Sequence, residues 1–312
     1  MSKKLKILIA YDGSSCADAA LADLQRAGLP AEAEAIVISV ADVWLWPGSN
    51  QETAESSSAT PEMPSVTRGH KRALQAVEEA RTLASQASER VRACFPAWKV
   101  RAEAYGESPA WAIIRKADEW KADLVVVGSH GRSAVGRLIL GSVSQKVVTE
   151  AGSSVRVARG RVLPSNSPVR IVVGVDGSPG SEAAVLAVTG RSWPASSEAR
   201  VIGVLDSMMV TATEQGEEVG QDESDWARKR VEASEETLRV SGLIVSSVVK
   251  EGDPKQVLID EAEQWEADCI FVGARGLRSF ERFLPGSVAT AVVARAHCSV
   301  EVVRSGQEPR PI

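Results

Sequence analysis

The sequence has no apolar run that approaches the roughly 20 residues of a membrane-spanning helix. Its start, MSKKLKILIAYDGS, holds too few apolar residues for the core of a signal peptide, and we interpret it as a first strand. Positive charge is not in excess either, because the net charge is −5. Nucleic acid and anionic membranes favour a basic face, so we expect neither as a partner.

Cysteine is scarce, and its spacing excludes two classes of site. The four cysteines do not form a CxxC pair; they are Cys16, Cys94, Cys269 and Cys298. In a chain of this length that pattern argues against a disulfide framework or a zinc site. We expect reduced, mostly buried thiols, which is typical of a cytoplasmic protein.

What the chain does contain is a balance of 44% hydrophobic and 25% charged residues, typical of a soluble globular protein. Its 312 residues suit two domains of ordinary size.

An internal repeat divides the chain. ILIAYDGSSCADAAL at 7–21 returns as IVVGVDGSPGSEAAV at 171–185, and ADLVVVGSHGRSAVGRLILGSVSQKVV at 122–148 returns as ADCIFVGARGLRSFERFLPGSVATAVV at 267–293. The offset is 164 at Asp12/Asp176 and 145 at Gly128/Gly273, so the second copy is 19 residues shorter between these points. The repeat predicts two domains, 1–160 and 168–306, joined by a linker at 159–168.

The extra residues of the first copy fall at 47–67, a segment rich in Ser, Thr, Glu and Pro. Met63 and Val66 are its only sizeable apolar residues, so burial offers little to offset the entropy of ordering it. We expect a mobile surface loop.

Strand and helix patterns alternate in each copy. In the first, β-rich runs lie near 5–11, 35–41, 98–104, 123–128 and 154–158. Runs that are apolar throughout are typical of parallel strands buried on both faces. Between them, helical spacing predicts one buried stripe, formed by Ala73, Leu74, Val77, Ala80, Ala84, Ala87 and Val91. This alternation predicts a doubly wound α/β fold, whose ligands bind at the carboxyl ends of the strands.

Glycines recur at fixed intervals after one strand of each copy. The first has Gly128-Ser129-His130-Gly131, nine residues, then Gly141-Ser142; the second has Gly273-Ala274-Arg275-Gly276, nine residues, then Gly286-Ser287. Glycine permits close backbone approach to a ribose or phosphate, and the amides at a helix start attract phosphate. The sequence contains no GxxxxGK[ST] motif, so a P-loop is excluded. Turns and helix caps alone are the competing interpretation.

Other residues near these loops have two interpretations each. Asp12 and Asp176 form either a turn with an N-cap or an acidic edge facing adenine or a metal. The loop arginines, which are Arg132, Arg137, Arg278 and Arg282, serve surface solvation or contact a phosphate. We interpret His130 as a solvated loop residue and not as a catalytic base.

At these residues the chain resembles the universal stress protein family, over 5–159 and 169–304. Both copies match the G-2x-G-9x-G-S/T motif of its ATP-binding members. The resemblance implies tandem five-stranded parallel sheets with helices on both faces. It implies that Asp12 and Val40 flank adenine and ribose, and that phosphates are held by Gly128, Gly131, Gly141, Ser142 and Ser144. The corresponding second set is Asp176, Val204, Gly273, Gly276, Gly286 and Ser287. Arg132, Val143 and Val288, from the same loop and helix starts, complete the predicted binding residues.

The second copy departs from this pattern twice. Ala289 stands where the first copy has Ser144, and Pro285 stands where it has Leu140. The resemblance also implies pairing through the last strand of each copy, so the strands near 154–158 and 299–303 are expected to pair within one chain. Two such chains would then associate as a homodimer.

Three functions follow from these patterns. The leading hypothesis is an ATP-binding stress-response or regulatory protein in which ATP, with Mg²⁺ or Mn²⁺, is a ligand or switch. The second is a slow ATPase or nucleotidyl transferase, against which stands the lack of a paired His/Asp or carboxylate set to activate water. The third is an interaction scaffold with one vestigial site.

Overall fold

The computed structural model of this chain describes residues 4–43, 64–131, 140–159, 164–205, 217–276 and 285–305. For 64–68 and 217–223 it describes the backbone alone.

The first half alternates strands and helices along the chain. In order these are β1 (Leu5–Ala10), α1 (Ser15–Leu24), β2 (Ala33–Ala41), α2 (Pro64–Cys94), β3 (Lys99–Gly106), α3 (Pro109–Trp120), β4 (Leu124–Gly128), α4 (Ser142–Glu150) and β5 (Ser154–Ala158).

The second half repeats the same order. Its elements are β6 (Arg170–Val175), α5 (Pro179–Thr189), β7 (Glu198–Leu205), α6 (Glu217–Arg239), β8 (Ile244–Glu251), α7 (Pro254–Gln264), β9 (Cys269–Gly273), α8 (Ser287–Arg295) and β10 (Ser299–Val303).

The described strands form one sheet of ten, in the order β3-β2-β1-β4-β5-β10-β9-β6-β7-β8. Within each half all neighbours are parallel, whereas β5 and β10 pair antiparallel at the centre. The predicted fold class and the predicted pairing of the last strands within one chain are therefore confirmed. Because the central pair is antiparallel, the carboxyl ends of the two parallel sets lie at opposite edges of the sheet.

The two faces of the sheet are packed differently. On one face, α3, α4, α7 and α8 cover a single apolar core that runs through both halves, including Val155 and Val157 of β5 and Val300 and Val302 of β10. On the other face, α1 and α2 cover one core and α5 and α6 cover a separate one. Successive strand residues point to opposite faces, so Arg156 and Glu301 point into the gap between these two separate cores.

Two details differ from the sequence predictions. Helix α2 begins at Pro64, so the last residues of the predicted loop 47–67 are helical, while its first part, 47–63, lies outside the described residues. Leu74 is 49% exposed, although the predicted stripe included it. Each helical residue turns by about 100°, which carries Leu74 off the face that buries its neighbour Ala73.

All four cysteines lie in the described part of the chain and are free. Cys269 and Cys298 are buried, as predicted, but Cys94 is exposed and Cys16 partly so. None of the helices in the described ranges is long and apolar enough to cross a membrane.

Candidate functional site

The predicted binding residues of the first half gather at the carboxyl edge of its sheet. β1 lies between β2 and β4, so the carboxyl ends of these three parallel strands lie side by side there. Strand order reverses at β1, since the chain crosses to one side for β2 and to the other for β4. This is the position at which doubly wound sheets bind ligands.

The Asp-Gly-Ser segment after β1 is a turn that caps a helix. The Ser14 amide donates to Asp12 Oδ1 at 3.0 Å, and Ser14 Oγ accepts from the Ala17 amide at 3.1 Å, capping α1. Gly13 has φ +77°, the left-handed region that glycine adopts without strain. The second half repeats this with Asp176, Gly177 and Ser178. The turn-and-cap interpretation therefore describes both copies.

The same aspartates lie against the glycine loops. A Cβ added at Gly131 would stand 3.0 Å from Asp12 Oδ2, and one added at Gly276 would stand 2.5 Å from Asp176 Oδ2. Gly131 and Gly276 therefore lie directly against the aspartate that follows the first strand of the same half.

Gly128 and Gly273 are explained by packing within the protein. A Cβ at Gly128 would meet the backbone of Cys16 at 2.9 Å, and one at Gly273 would meet the backbone of Gly180 at 2.3 Å. The first turn of α1 or α5 lies directly against the end of the strand. Helix-on-strand packing alone requires glycine at these two positions, and their close approach to a ribose or phosphate stays a prediction.

Each motif loop closes at a helix start. The Gly141 amide donates to Ser129 O at 2.8 Å and the Gly286 amide to Ala274 O at 2.7 Å. The N-cap dihedrals agree closely, with φ −65°, ψ 150° at Gly141 and φ −63°, ψ 159° at Gly286. Pro285 therefore leaves this geometry unchanged. Glycine has no side chain to cap the first amides of α4 and α8, which follow at the exposed Ser142 and Ser287.

Gly286 differs from the other motif glycines. Among the described residues, the nearest atom to an added Cβ is 3.7 Å away, an ordinary contact, and its φ is negative. Neither packing against the described residues nor backbone conformation requires glycine at this N-cap position.

Ser144 has a partner within the protein. It is 5% exposed, and its hydroxyl donates to Gly128 O at 2.6 Å, which ties α4 to the end of β4. The role implied by the family resemblance, holding phosphate, stays a prediction, and in this structure the hydroxyl donates within the protein. Ala289, at the same place in the second half, is 2% exposed and lacks only this internal hydrogen bond.

Strand register relates the positions of two of the predicted valines, Val40 and Val204. Ala10 pairs with Ile38 and Gly174 with Ile202, so Val40 and Val204, two residues further on, occupy matching positions. Val40, Val204, Val143 and Val288 are all partly buried against the shared core. Arg132 lies outside the described residues, as do Arg137, Arg278 and Arg282.

A family model for the universal stress protein family matches residues 5–159 and 169–304. The chain belongs to this family.

Relatives of this universal stress protein include mycobacterial ones. A universal stress protein of Mycolicibacterium smegmatis is 31% identical over 240 residues, covering 73% of this chain and 77% of the relative. Universal stress protein Rv1996 of Mycobacterium tuberculosis is 28% identical over 327 residues, covering 98% and 96%. The crystal structure of a universal stress protein from Archaeoglobus fulgidus aligns with 96% of this chain and 98% of its own at a TM-score of 0.62 and 19% identity, a likeness of fold.

Two shorter members of the family were solved with adenine nucleotides. One is from Arabidopsis thaliana with AMP bound and the other is in complex with cAMP. They align with 45% and 43% of this chain at TM-scores of 0.32 and 0.31. These alignments are too weak to carry a ligand over to this universal stress protein.

His130 is the site residue whose environment the sequence did not reveal. It is 8% exposed, not solvated; its Nδ1 lies 2.9 Å from Ser129 Oγ, and no described residue partners its Nε2. Burial, and secondarily the positive charge of Arg159, lower the pKa of His130 below its usual value. Both causes favour the neutral form of the imidazole beside Gly131 of this universal stress protein.

Within the described ranges, no group of three or more His, Cys, Asp or Glu side chains is arranged to hold a metal ion.

Proposed function

We propose that each half of this universal stress protein binds one molecule of ATP, with Mg²⁺ or Mn²⁺, at the carboxyl edge of its sheet. The polyphosphate lies at the start of α4 in the first half and of α8 in the second. The nucleotide acts as a regulatory ligand.

One repeated observation carries this proposal. Both α4 and α8 have a glycine as N-cap, at the point where strand order reverses, and both follow a loop closed onto the strand end. By contrast, α1, α5 and α7 begin with side-chain caps from Ser14, Ser178 and Asp253. Amides left without a side-chain cap, at the positive end of a helix dipole, favour a phosphate. That no described residue crowds Gly286 supports the same interpretation.

The remaining groups fit the other parts of the nucleotide. Exposed Ser142 and Ser287 offer hydroxyl donors beside the amides. Val40 and Val204 present apolar surface at the end of the strand next to β1 or β6, where the base and ribose would lie. Mg²⁺ commonly binds through one or two carboxylates plus the phosphates of the nucleotide. Asp12 and Asp176 lie against Gly131 and Gly276, so they would complete such a site.

The test uses a charge placed where the phosphate would lie. Ser142→Asp and Ser287→Asp each put a carboxylate in the first turn of an uncapped helix, a position where acidic residues stabilise helices. Each variant should keep its thermal stability and lose ATP affinity at its own site by at least about tenfold, the equivalent of about 1.4 kcal/mol. Isothermal titration with MgATP measures affinity, and mass spectrometry of nucleotide released from denatured protein counts the sites.

Two controls separate the causes. Ser142→Ala removes the hydroxyl but keeps the amides, so its loss of affinity should be much smaller than that of Ser142→Asp. Ser108→Asp makes the same charge change at the start of α3, which follows the edge strand β3, and should bind two nucleotides like the unmodified protein. If the double variant Ser142→Asp/Ser287→Asp still retained two ATP molecules per chain, the proposal would be wrong.

A further inference from the structure

A row of four buried charges crosses the junction between the two halves. It consists of Asp23 on α1, Arg156 on β5, Glu301 on β10 and Arg191 just after α5. Arg156 Nε and Nη2 donate to the two oxygens of Asp23 at 2.5 and 3.0 Å, and Arg156 Nη1 lies 3.3 Å from Glu301 Oε2. Arg191 donates to the other oxygen of Glu301. The signs alternate along the row.

The row is enclosed. The side chains of Arg156 and Glu301 are 1% and 2% exposed, and those of Asp23 and Arg191 are 14% and 10% exposed. The Phe271 ring lies beside both guanidinium groups, at 6.0 Å from Arg156 and 4.9 Å from Arg191. Burial by itself lowers the pKa of Arg156, but the charge of and hydrogen bonds to Asp23, together with Glu301, raise it well above its usual value. In so dry a place, like charges side by side are strongly unfavourable.

The row exists because the two copies have diverged at matching positions. Arg156 and Glu301 are 145 residues apart, the repeat offset, and they stand directly opposite in the β5–β10 ladder. Asp23 corresponds to Ala187, and Arg191 corresponds to Ala27, at the offset of 164. Each half therefore carries its own neutral pair, but with the two signs exchanged.

Exchanging the signs makes the halves selective. Two first halves paired through β5 would order their charges Asp, Arg, Arg, Asp, and two second halves would order them Arg, Glu, Glu, Arg. Both arrangements put like charges opposite each other in a buried strand pair, and only an unlike pair alternates throughout. We propose that this charge row makes the last strand of each half accept the unlike half and reject a like one. The surface thus fits the other half, of the same chain or of a second copy, and not its own kind.

The proposal is tested in the full chain by two variants that imitate like pairing. Arg191→Glu/Glu301→Arg gives the second half the charges of the first, and Asp23→Arg/Arg156→Glu gives the first half those of the second. Each should lower the urea midpoint by about 1 M or more. The fourfold variant restores alternation with reversed signs, so its midpoint should lie above the value expected from adding the two separate losses. The double-mutant cycle removes the cost of repacking within each half, because that cost is present in both the separate and the fourfold variants. Strictly additive losses would overturn the proposal.

Mixing the two double variants gives a second measurement, which can be made even if neither variant folds well by itself. In a dimer that exchanges halves between one chain of each variant, both strand pairs alternate in sign. After refolding an equimolar mixture, native mass spectrometry should find mixed dimers well above the roughly one half of all dimers that random pairing produces. Mixed dimers at or below that share would contradict the proposal. A mixture of unmodified chains with an isotopically heavy copy supplies the random reference.

Discussion

At the scale of single residues, a side chain's partner decides its role, and residue type alone does not. Ser144 occupies the position of a phosphate donor in the motif, yet it donates to Gly128 O inside the protein. Gly128 and Gly286 belong to one motif, yet the first is fixed by the backbone of Cys16 and the second is free of such contact among the described residues. These assignments lead to two experiments on individual residues.

His130 predicts a pH dependence of stability. Its pKa is lowered by burial and by Arg159, while an unfolded histidine titrates near about 6.5. The unfolded chain therefore binds more protons between these two values, and stability present above about pH 6.5 is lost as the pH falls toward the folded pKa. The thermal midpoint should fall over this range, and His130→Asn should flatten the decrease. The matched control is His297→Asn, at an exposed histidine, and its thermal midpoint should fall with pH as that of the unmodified protein does. Identical pH profiles for His130→Asn and the unmodified protein would refute this.

The glycines predict opposite outcomes for the same substitution. Gly128→Ala should destabilise the fold by about 1–3 kcal/mol, since its Cβ would stand 2.9 Å from the Cys16 backbone. Gly286→Ala should cost at most about 1 kcal/mol, as the change of an N-cap, while ATP binding at the second site falls at least tenfold (about 1.4 kcal/mol). Urea unfolding and titration with MgATP check both. A Gly286→Ala protein that still bound two nucleotides with unchanged affinity would show that the start of α8 does not hold phosphate.

At the scale of elements, the helix starts that follow the first and fourth strands of each half that the structure describes differ: α1 and α5 are of one kind, and α4 and α8 are of another. α1 and α5 are capped by serines and packed tightly against a strand end, so their first turns are occupied by the protein itself. α4 and α8 follow the closing glycine of the motif loop, and their first turns begin at the exposed Ser142 and Ser287. Local sequence marks both kinds with glycine and serine, which is why the motif alone left caps and phosphate sites as competing interpretations.

At the scale of the whole molecule, the antiparallel junction has two consequences. It places the two candidate sites at opposite edges of one sheet, and it runs one apolar core under four helices through both halves. Because β5 and β10 pair at this junction, two chains that each keep the pairing could form the homodimer expected from the sequence only through another surface, and the homodimer stays a prediction.

The shared core predicts cooperative unfolding. Because Val155 and Val157 pack in the same core as Val300 and Val302, neither half can expose its side of the core without uncovering the other. Hydrogen exchange followed by mass spectrometry should find one urea midpoint for β1 and β6, the inner strands of the two halves. The Arg191→Glu/Glu301→Arg variant should separate these midpoints. Two distinct midpoints in the unmodified protein would show that the halves unfold independently.

The sequence predicts those structural features that depend on local residue patterns. Continuous apolar runs gave the parallel strands, the repeat gave two equivalent halves, and the glycine spacing located the loops at the carboxyl edge. Helical spacing failed only where a single residue, Leu74, lay at the margin of its stripe.

Contacts between residues that are far apart in the sequence are seen only in the folded structure. Ser144 meets Gly128 across 16 residues, and Arg156 meets Asp23 and Glu301 across 133 and 145. Such partners depend on strand order, register and the direction of the junction, none of which leaves a local signature. The burial of His130 and the alternating charge row follow from those three-dimensional contacts, because desolvation and Coulomb energy act through space and not along the chain.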